Sequence, residues 1–178
     1  MNYLVISDIH GDAEAMRILT AVEADAILCL GDILYHGPRN VLPDSYNPKA
    51  VIAALNLFSD KITAVRGNCD AEVDQMVLHF PITADYNSLF IEKRRIFMSH
   101  GHIYGPKNLP TLASGSVFLS GHTHIPTAEQ ENGIWLFNPG SLSLPKGGHP
   151  KTYGILNRDG FTVFTIHGDL YMQAKFNG

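Results

Sequence analysis

The chain has 178 residues, 45% of them hydrophobic, and its 13 Lys+Arg against 17 Asp+Glu give a formal net charge of −4. That length predicts one domain over residues 1–178 with a core large enough to fold without disulfides, and the composition excludes a disordered chain. The mild acidity excludes an electrostatic footprint for long nucleic acid, and no run approaches the ~18 apolar residues of a membrane span, so neither is an expected partner.

The first third alternates strand and helix. An apolar run at residues 3–7 predicts a buried strand, and the spacing of Ala15, Met16, Ile18, Leu19 and Val22 predicts a helix over 12–22. A second apolar run at 26–30 ends in Gly31-Asp32, followed by a long loop with Gly37, Pro38, Pro43, Asp44 and Pro48. Residues 50–58 read as a helix and 62–65 as a third strand, ending near Gly67-Asn68. This βαβαβ order implies parallel strands. The second half changes to short strand-like runs at 88–91, 95–99, 117–120, 134–137, 153–156 and 161–166, with Trp135, Phe90, Phe97 and Phe118 at core positions. The expected fold is α/β, with two mixed sheets packed together and helices outside. The apolar strands of the second half leave a monomer and a homo-oligomer both open.

Two cysteines, Cys29 and Cys69, make no disulfide framework, which predicts a reducing, cytoplasmic compartment. The first eight residues lack a basic segment and a long apolar stretch, and no signal peptide is expected.

The unusual number is nine histidines. Five segments end an apolar run in metal-ligand residue types: Asp8-Ile9-His10-Gly11, Gly31-Asp32, Gly67-Asn68-Cys69-Asp70, Ser99-His100-Gly101-His102 and Gly121-His122-Thr123-His124. Ligands in open α/β sheets bind outside the carboxyl ends of strands, so five such ends can converge on one crevice. Carboxylate, imidazole and amide oxygen together suit Mn, Fe, Co, Ni or Zn, with Mn the first choice, and the lack of paired thiolates excludes a structural zinc knot. In extended backbone, residues i and i+2 share a side, which would aim Asp8 with His10 and His122 with His124. A lone Asp-x-His is usually a cap and a lone Gly-Asp a turn; five in this order point to a metal site.

These five blocks resemble the signature of the calcineurin-like metallophosphoesterases. The Gly67-Asn68-Cys69-Asp70 block and the Asn138-Pro139-Gly140-Ser141 segment are similar to its small bacterial phosphodiesterase branch. The stretch from Gly31 to Asn40 and Asp74-Gln75-Met76 resemble one enterobacterial subgroup of that branch. The resemblance implies two mixed sheets packed face to face and flanked by helices, with a two-metal centre. It assigns Asp8, His10 and His124 to one ion, Asn68, His100 and His122 to the other, and Asp32 as the bridge. It implies a phosphodiesterase acting on a small diester, in which two ions polarise a phosphoryl oxygen and generate a hydroxide near neutral pH. A phosphomonoesterase or nucleotide pyrophosphatase on the same ions is the alternative. A non-catalytic scaffold, such as the eukaryotic retromer subunit resembles, is disfavoured because all seven ligand positions are filled by ligand types.

Many members carry Gly-Asn-His where this chain has Cys69, and that histidine is usually assigned to transition-state stabilisation or leaving-group protonation. Asn68, Cys69 and Asp70 are therefore the candidate catalytic residues, with Cys69 alternatively a small residue behind Asn68 and Asp70 alternatively an orienting partner or cap. His36 and Arg39, in the long loop after Asp32, are candidate substrate-binding residues, since a guanidinium matches phosphate geometry. His102 is expected beside the site rather than in it. His79, His149 and His167 have no partner motif.

Overall fold

The computed structural model describes residues 1–176. Strands β1 (Tyr3–Ile6), β2 (Ala26–Cys29) and β3 (Ile62–Ala64) pair in parallel, with Ile6 opposite Cys29 and Cys29 opposite Ala64. Their crossovers carry a short helix, α1 (Ile18–Ala21), and the longer α2 (Pro48–Asn56). This is the expected βαβαβ. The expected helix over 12–22 is shorter and begins as a 3-10 turn at Glu14–Arg17. Asp12 initiates that turn by accepting hydrogen bonds from the backbone N–H groups of Glu14 and Ala15.

Past the 3-10 turn Ser59–Lys61 and a third short helix, α3 (Glu72–Gln75), every further regular element among the described residues is a strand. The strands are β4 (Tyr86–Ile91), β5 (Arg94–Ser99), β6 (Val117–Leu119), β7 (Thr127–Glu131), β8 (Ile134–Asn138), β9 (Thr152–Asn157), β10 (Gly160–Thr165) and β11 (Leu170–Lys175). One sheet runs β11-β10-β9-β1-β2-β3 and the other β4-β5-β6-β8-β7. Both are mixed. β9, β10 and β11 are antiparallel additions to the parallel β1-β2-β3, while β5, β6 and β8 are parallel between antiparallel β4 and β7.

The core between the sheets holds Val5, Leu28 and Val65 from one side and Met98, Leu119 and Phe137 from the other. The helices cover only the outer face of the first sheet, where Val51 and Leu55 of α2 meet Ile27 and Cys29. On the second sheet, Phe97, Phe118 and Leu136 are covered instead by Tyr104, Leu109 and Leu112, from residues outside any helix. The C-terminal ends of β1, β2 and β3 thus lie beside those of β5 and β6. The loops after β1 and β2 stay zipped past the strands, Asp8 N–H donating to Gly31 O at 3.1 Å and His10 N–H to Asp32 O at 2.9 Å. No helix among the described residues is long and apolar enough to cross a membrane.

Candidate metal centre

Five of the expected ligands reach the site through left-handed backbone: Asp8, His10, Asp32, His122 and His124 have φ between 48° and 65°. Strand alternation at i and i+2 is therefore not what aims these pairs. The strands stop at Ile6 and Leu119, and each pair converges through a turn instead of through strand alternation. Asp and His enter this region more readily than most residues, but it remains costly, and such backbone concentrates at functional sites. The neighbouring glycines let the loops touch. A Cβ on Gly67 would fall on Asp32 Oδ1 and its backbone N, and one on Gly31 would fall on Gly67 N.

Three imidazoles are held in the same way. His10 Nδ1 lies 2.9 Å from Tyr35 O, His100 Nδ1 2.7 Å from Leu30 O, and His124 Nδ1 2.5 Å from Leu144 O. A carbonyl only accepts, so each Nδ1 carries a hydrogen, and in the neutral ring each Nε2 presents a lone pair. Those Nε2 atoms face acceptors. His124 Nε2 is 3.2 Å from Asp8 Oδ1, His100 Nε2 is 3.4 Å from Asp32 Oδ2, and His10 Nε2 is 3.7 Å from both carboxylates and 3.3 Å from His124 Nε2. Asp8 Oδ1 is buried with no hydrogen-bond partner. Lone pairs turned on lone pairs in a buried cluster require a positive charge between them, and backbone-anchored imidazoles are how proteins orient metal ligands.

The donors lie within 4.8 Å of one another in two groups that share Asp8: Asp8/His10/His124 and Asp8/Asp32/His100. Asn68 Oδ1 adds an amide oxygen 3.2 Å from His100 Nε2, and the His122 ring centroid is 5.1 Å from that of His100. Asp8, His10, Asp32, His100 and His124 are thus brought together, with Asn68 and His122 beside His100, and the donor set fits divalent transition ions. The electrostatics agree. Burial works to raise the Asp8 carboxyl, but the facing imidazoles of His10 and His124, which donate to it when protonated, outweigh it and hold it well below the usual carboxylate range. Burial would lower His100, yet its hydrogen bond to Asp32 and the charges of Asp8 and Asp32 push it up to about 9.

The remaining candidates divide. Cys69 Sγ lies within 4.8 Å of His10 and Asp32 donor atoms, and Cys69 N–H donates to Asp32 Oδ1 at 2.8 Å. Burial, reinforced by the Asp32 charge, pushes the thiol up to about 12. It is protonated at neutral pH. The Asp70 carboxylate accepts from the backbone N–H groups of Asp32 (2.9 Å), Ile33 (2.8 Å) and Gly67 (2.7 Å), so it ties the β2 and β3 loops together. A cavity of about 280 Å³ opens on Asp32, Asn68, Cys69, His122 and His124, and its outer wall is Gly37, Pro38, Arg39 and Asn40 with Lys146. Arg39 is at the site as expected. His36 is not on that wall; its ring packs edge-on against Tyr35 and Tyr46. His102 is exposed, with its ring centroid 5.4 Å from that of His100.

Sequence patterns missed the supports. Ser7 donates to Asp8 Oδ2 at 2.6 Å, and Ser141 and Ser143 both donate to Asp8 O. Asn138 Nδ2 donates to Gly121 O, bracing the turn before His122. The Asn-Pro-Gly-Ser segment was the available signal for Asn138 and Ser141. Lys146 carried none.

A family model described as the calcineurin-like phosphoesterase superfamily domain matches residues 1–173. The phosphodiesterase YfcE of Escherichia coli strain K12 is 48% identical over 171 residues, which cover 94% of this chain and 93% of that protein. The solved structure of that E. coli phosphoesterase superposes with a TM-score of 0.96 at 47% identity, covering 99% of this chain and 100% of the other. A probable metallophosphoesterase of Bacillus subtilis, YsnB, is 30% identical over 88% of this chain and 83% of its own length.

Proposed function

The chain belongs to the calcineurin-like phosphoesterase superfamily, and we propose that it is a binuclear metal-dependent phosphodiesterase of the cytoplasm acting on a small diester. The observation that carries this is the convergence of three backbone-anchored Nε2 lone pairs on two buried carboxylates. The diesterase activity is supported by the name of the E. coli relative, and the compartment by two free cysteines. Asp8, His10 and His124 would hold one ion, Asn68, His100 and His122 the other, and Asp32 both, with manganese the first expectation. Ions held there would draw charge from a phosphoryl oxygen and lower the pKa of a water.

The chain's own groups do the rest. Asp70 fixes the Asp32 backbone, and the carbonyls of Tyr35, Leu30 and Leu144 fix three ring orientations. Asn68 presents its amide oxygen beside His100. Arg39 supplies a planar donor fork at the cavity wall. Cys69 offers only a neutral thiol, a weak donor, where a leaving oxygen would take a proton.

The test is a panel of phosphodiesters, cyclic nucleotides and monoesters assayed on chelated protein and after reconstitution with manganese, zinc, iron, cobalt or nickel. Diester turnover that vanishes on chelation, returns with two ions per chain and exceeds monoester turnover is expected. Undiminished turnover by protein shown to be metal-free would overturn the metal reading, and a monoester preference would overturn the diesterase.

A further inference from the structure

Arg39 stands out among the arginines. Of those in the described residues, Arg17 pairs with Glu14, Arg66 with Asp85 and Arg158 with Asp159, while Arg94 bonds Gly115 O and Arg95 bonds Ser88 Oγ. Arg39 has no ion pair or side-chain hydrogen bond among them, and it is exposed on the wall of the metal-site cavity. Lys146, on the same wall, is also exposed and without an ion pair among the described residues.

The chain invests backbone structure in Lys146. Its N–H donates to His124 O at 3.3 Å, and its own carbonyl accepts from His149 N–H at 3.2 Å. Gly147 and Gly148, at φ 66° and 78°, turn the chain there. The same loop supplies the Leu144 carbonyl that orients His124. The lysine is therefore tethered to the loop bearing His124 on one side and closed into a turn with His149 on the other.

Charge and volume show what these cations face. Asp32 is the one carboxylate on the cavity wall among the described residues, and it is buried in the ligand cluster. A diester has a single negative charge, which belongs at that cluster. Arg39 and Lys146 are then two positive charges in surplus. The cavity, at about 280 Å³, is larger than a single phosphoryl group fills.

We propose that Arg39 and Lys146 form an anion subsite, so that the substrate is a small phosphodiester whose ester substituent carries a carboxylate or phosphate of its own. The assignment rests on the diesterase reading above. Cations at this exposure act through modest, salt-screened attraction, and it is the pair that discriminates.

The test uses two diesters with one leaving group: 4-nitrophenyl 4-carboxyphenyl phosphate and its carboxyl methyl ester. For manganese-loaded wild type, the carboxylate substrate should show a KM about five- to tenfold lower, with the gap closing as salt rises. In Arg39→Met and Lys146→Met the ratio of the two KM values should fall to about twofold, and in the double variant to about one. The same order should appear calorimetrically in the affinity of the manganese-loaded protein for a non-hydrolysable pair, 4-carboxybenzyl(benzyl)phosphinate and its methyl ester. If the wild type hydrolyses neither diester, the diesterase reading fails, and the phosphinates still decide the subsite. No preference for the carboxylate phosphinate overturns it. A preference that survives the double variant, with both substrates weakened equally, also overturns it and returns the two cations to the scissile phosphoryl.

Discussion

Asp32 faces a ligand of each expected ion. Its Oδ2 faces His10 and His100, its Oδ1 accepts from Cys69 N–H, and Gly67 is packed against it. A carboxylate shared by two cations offsets their repulsion, so its loss weakens both sites. We expect Asp32→Ala to lower diester turnover by about 10³-fold or more, beyond the ~10–100-fold typical of residues that only orient a ligand. Metal analysis should find fewer than two ions per chain, and retention of both with near-normal turnover would remove Asp32 from the bridge. His102→Ala should be far milder than His100→Ala, because His102 is exposed while His100 is buried and tied to Leu30 O. The reverse order would exchange their roles. Cys69 sets a third expectation. A thiol pushed up to about 12 stays neutral and donates poorly, whereas a positioned imidazole contributes about 10²–10⁴-fold as a general acid. Wild type should therefore favour aryl over alkyl diesters, and Cys69→His should narrow that gap by speeding the alkyl esters selectively. The larger ring must displace the loop at Gly37, where a Cβ would come within 3.0 Å of Sγ. A wild-type rate independent of leaving-group pKa, with chemistry rate-limiting, would show that another acid is present.

At the scale of elements, the loops after β2 and β3 form a single unit. Asp70 pins them, and Gly31 and Gly67 allow them to pass at backbone contact. Gly67→Ala should cost about 1–3 kcal/mol from overpacking, read as a Tm fall of about 2–12 °C in metal-free protein, and should weaken metal binding because the displaced atoms belong to Asp32. An unchanged Tm with unchanged metal affinity would show that the loops separate freely. The same elements show what a sequence reveals. The parallel strands β1, β2, β3, β5 and β6 are buried runs with their ligands at the carboxyl ends, and they were legible. β7, with the sequence Thr-Ala-Glu-Gln-Glu, has no hydrophobic signal, and β11, Leu-Tyr-Met-Gln-Ala-Lys, lies at a sheet edge with most residues exposed, its apolar residues not alternating with polar ones. α3 has no buried residue and was invisible for the same reason. The ligand identities were legible, but not the left-handed turns that aim them, because side-chain type does not report φ. Lys146, an exposed lysine beyond the last ligand block, has no pattern to read.

At the scale of the molecule, the site joins the two sheets. Asp8, His10, Asp32 and Asn68 follow strands of the first sheet, and His100, His122 and His124 follow strands of the second. Ions bound there add a clamp to the apolar core between the sheets. Without them, protons can substitute, and pH then controls the clamp. His10 is raised, burial being outweighed by Asp8, Tyr35 O and Asp32, and His100 is pushed up to about 9. A group whose folded pKa is raised stabilises fully below its unfolded value, about 6.5 for histidine, and loses that stabilisation as pH climbs through the folded value. His122 and His102, lowered by burial and by the His100 charge, slope the other way but act below about 6.5. Asp8 and Asp32, lowered, are fully ionised across this range. The Tm of metal-free protein should therefore fall between about pH 6.5 and 9. Metal-loaded protein should not follow, because ions compete with protons for the same lone pairs and bind better as pH rises. The Tm difference between loaded and stripped protein should widen steadily across that window. His100→Gln, which keeps a polar side chain but cannot take up the proton, should flatten the metal-free slope. Thermal denaturation at four pH values on stripped, loaded and variant protein decides it. A metal-free Tm that stays level from pH 6.5 to 9, or one whose slope survives in the variant, would mean that the His–Asp cluster does not hold the sheets together in place of the ions.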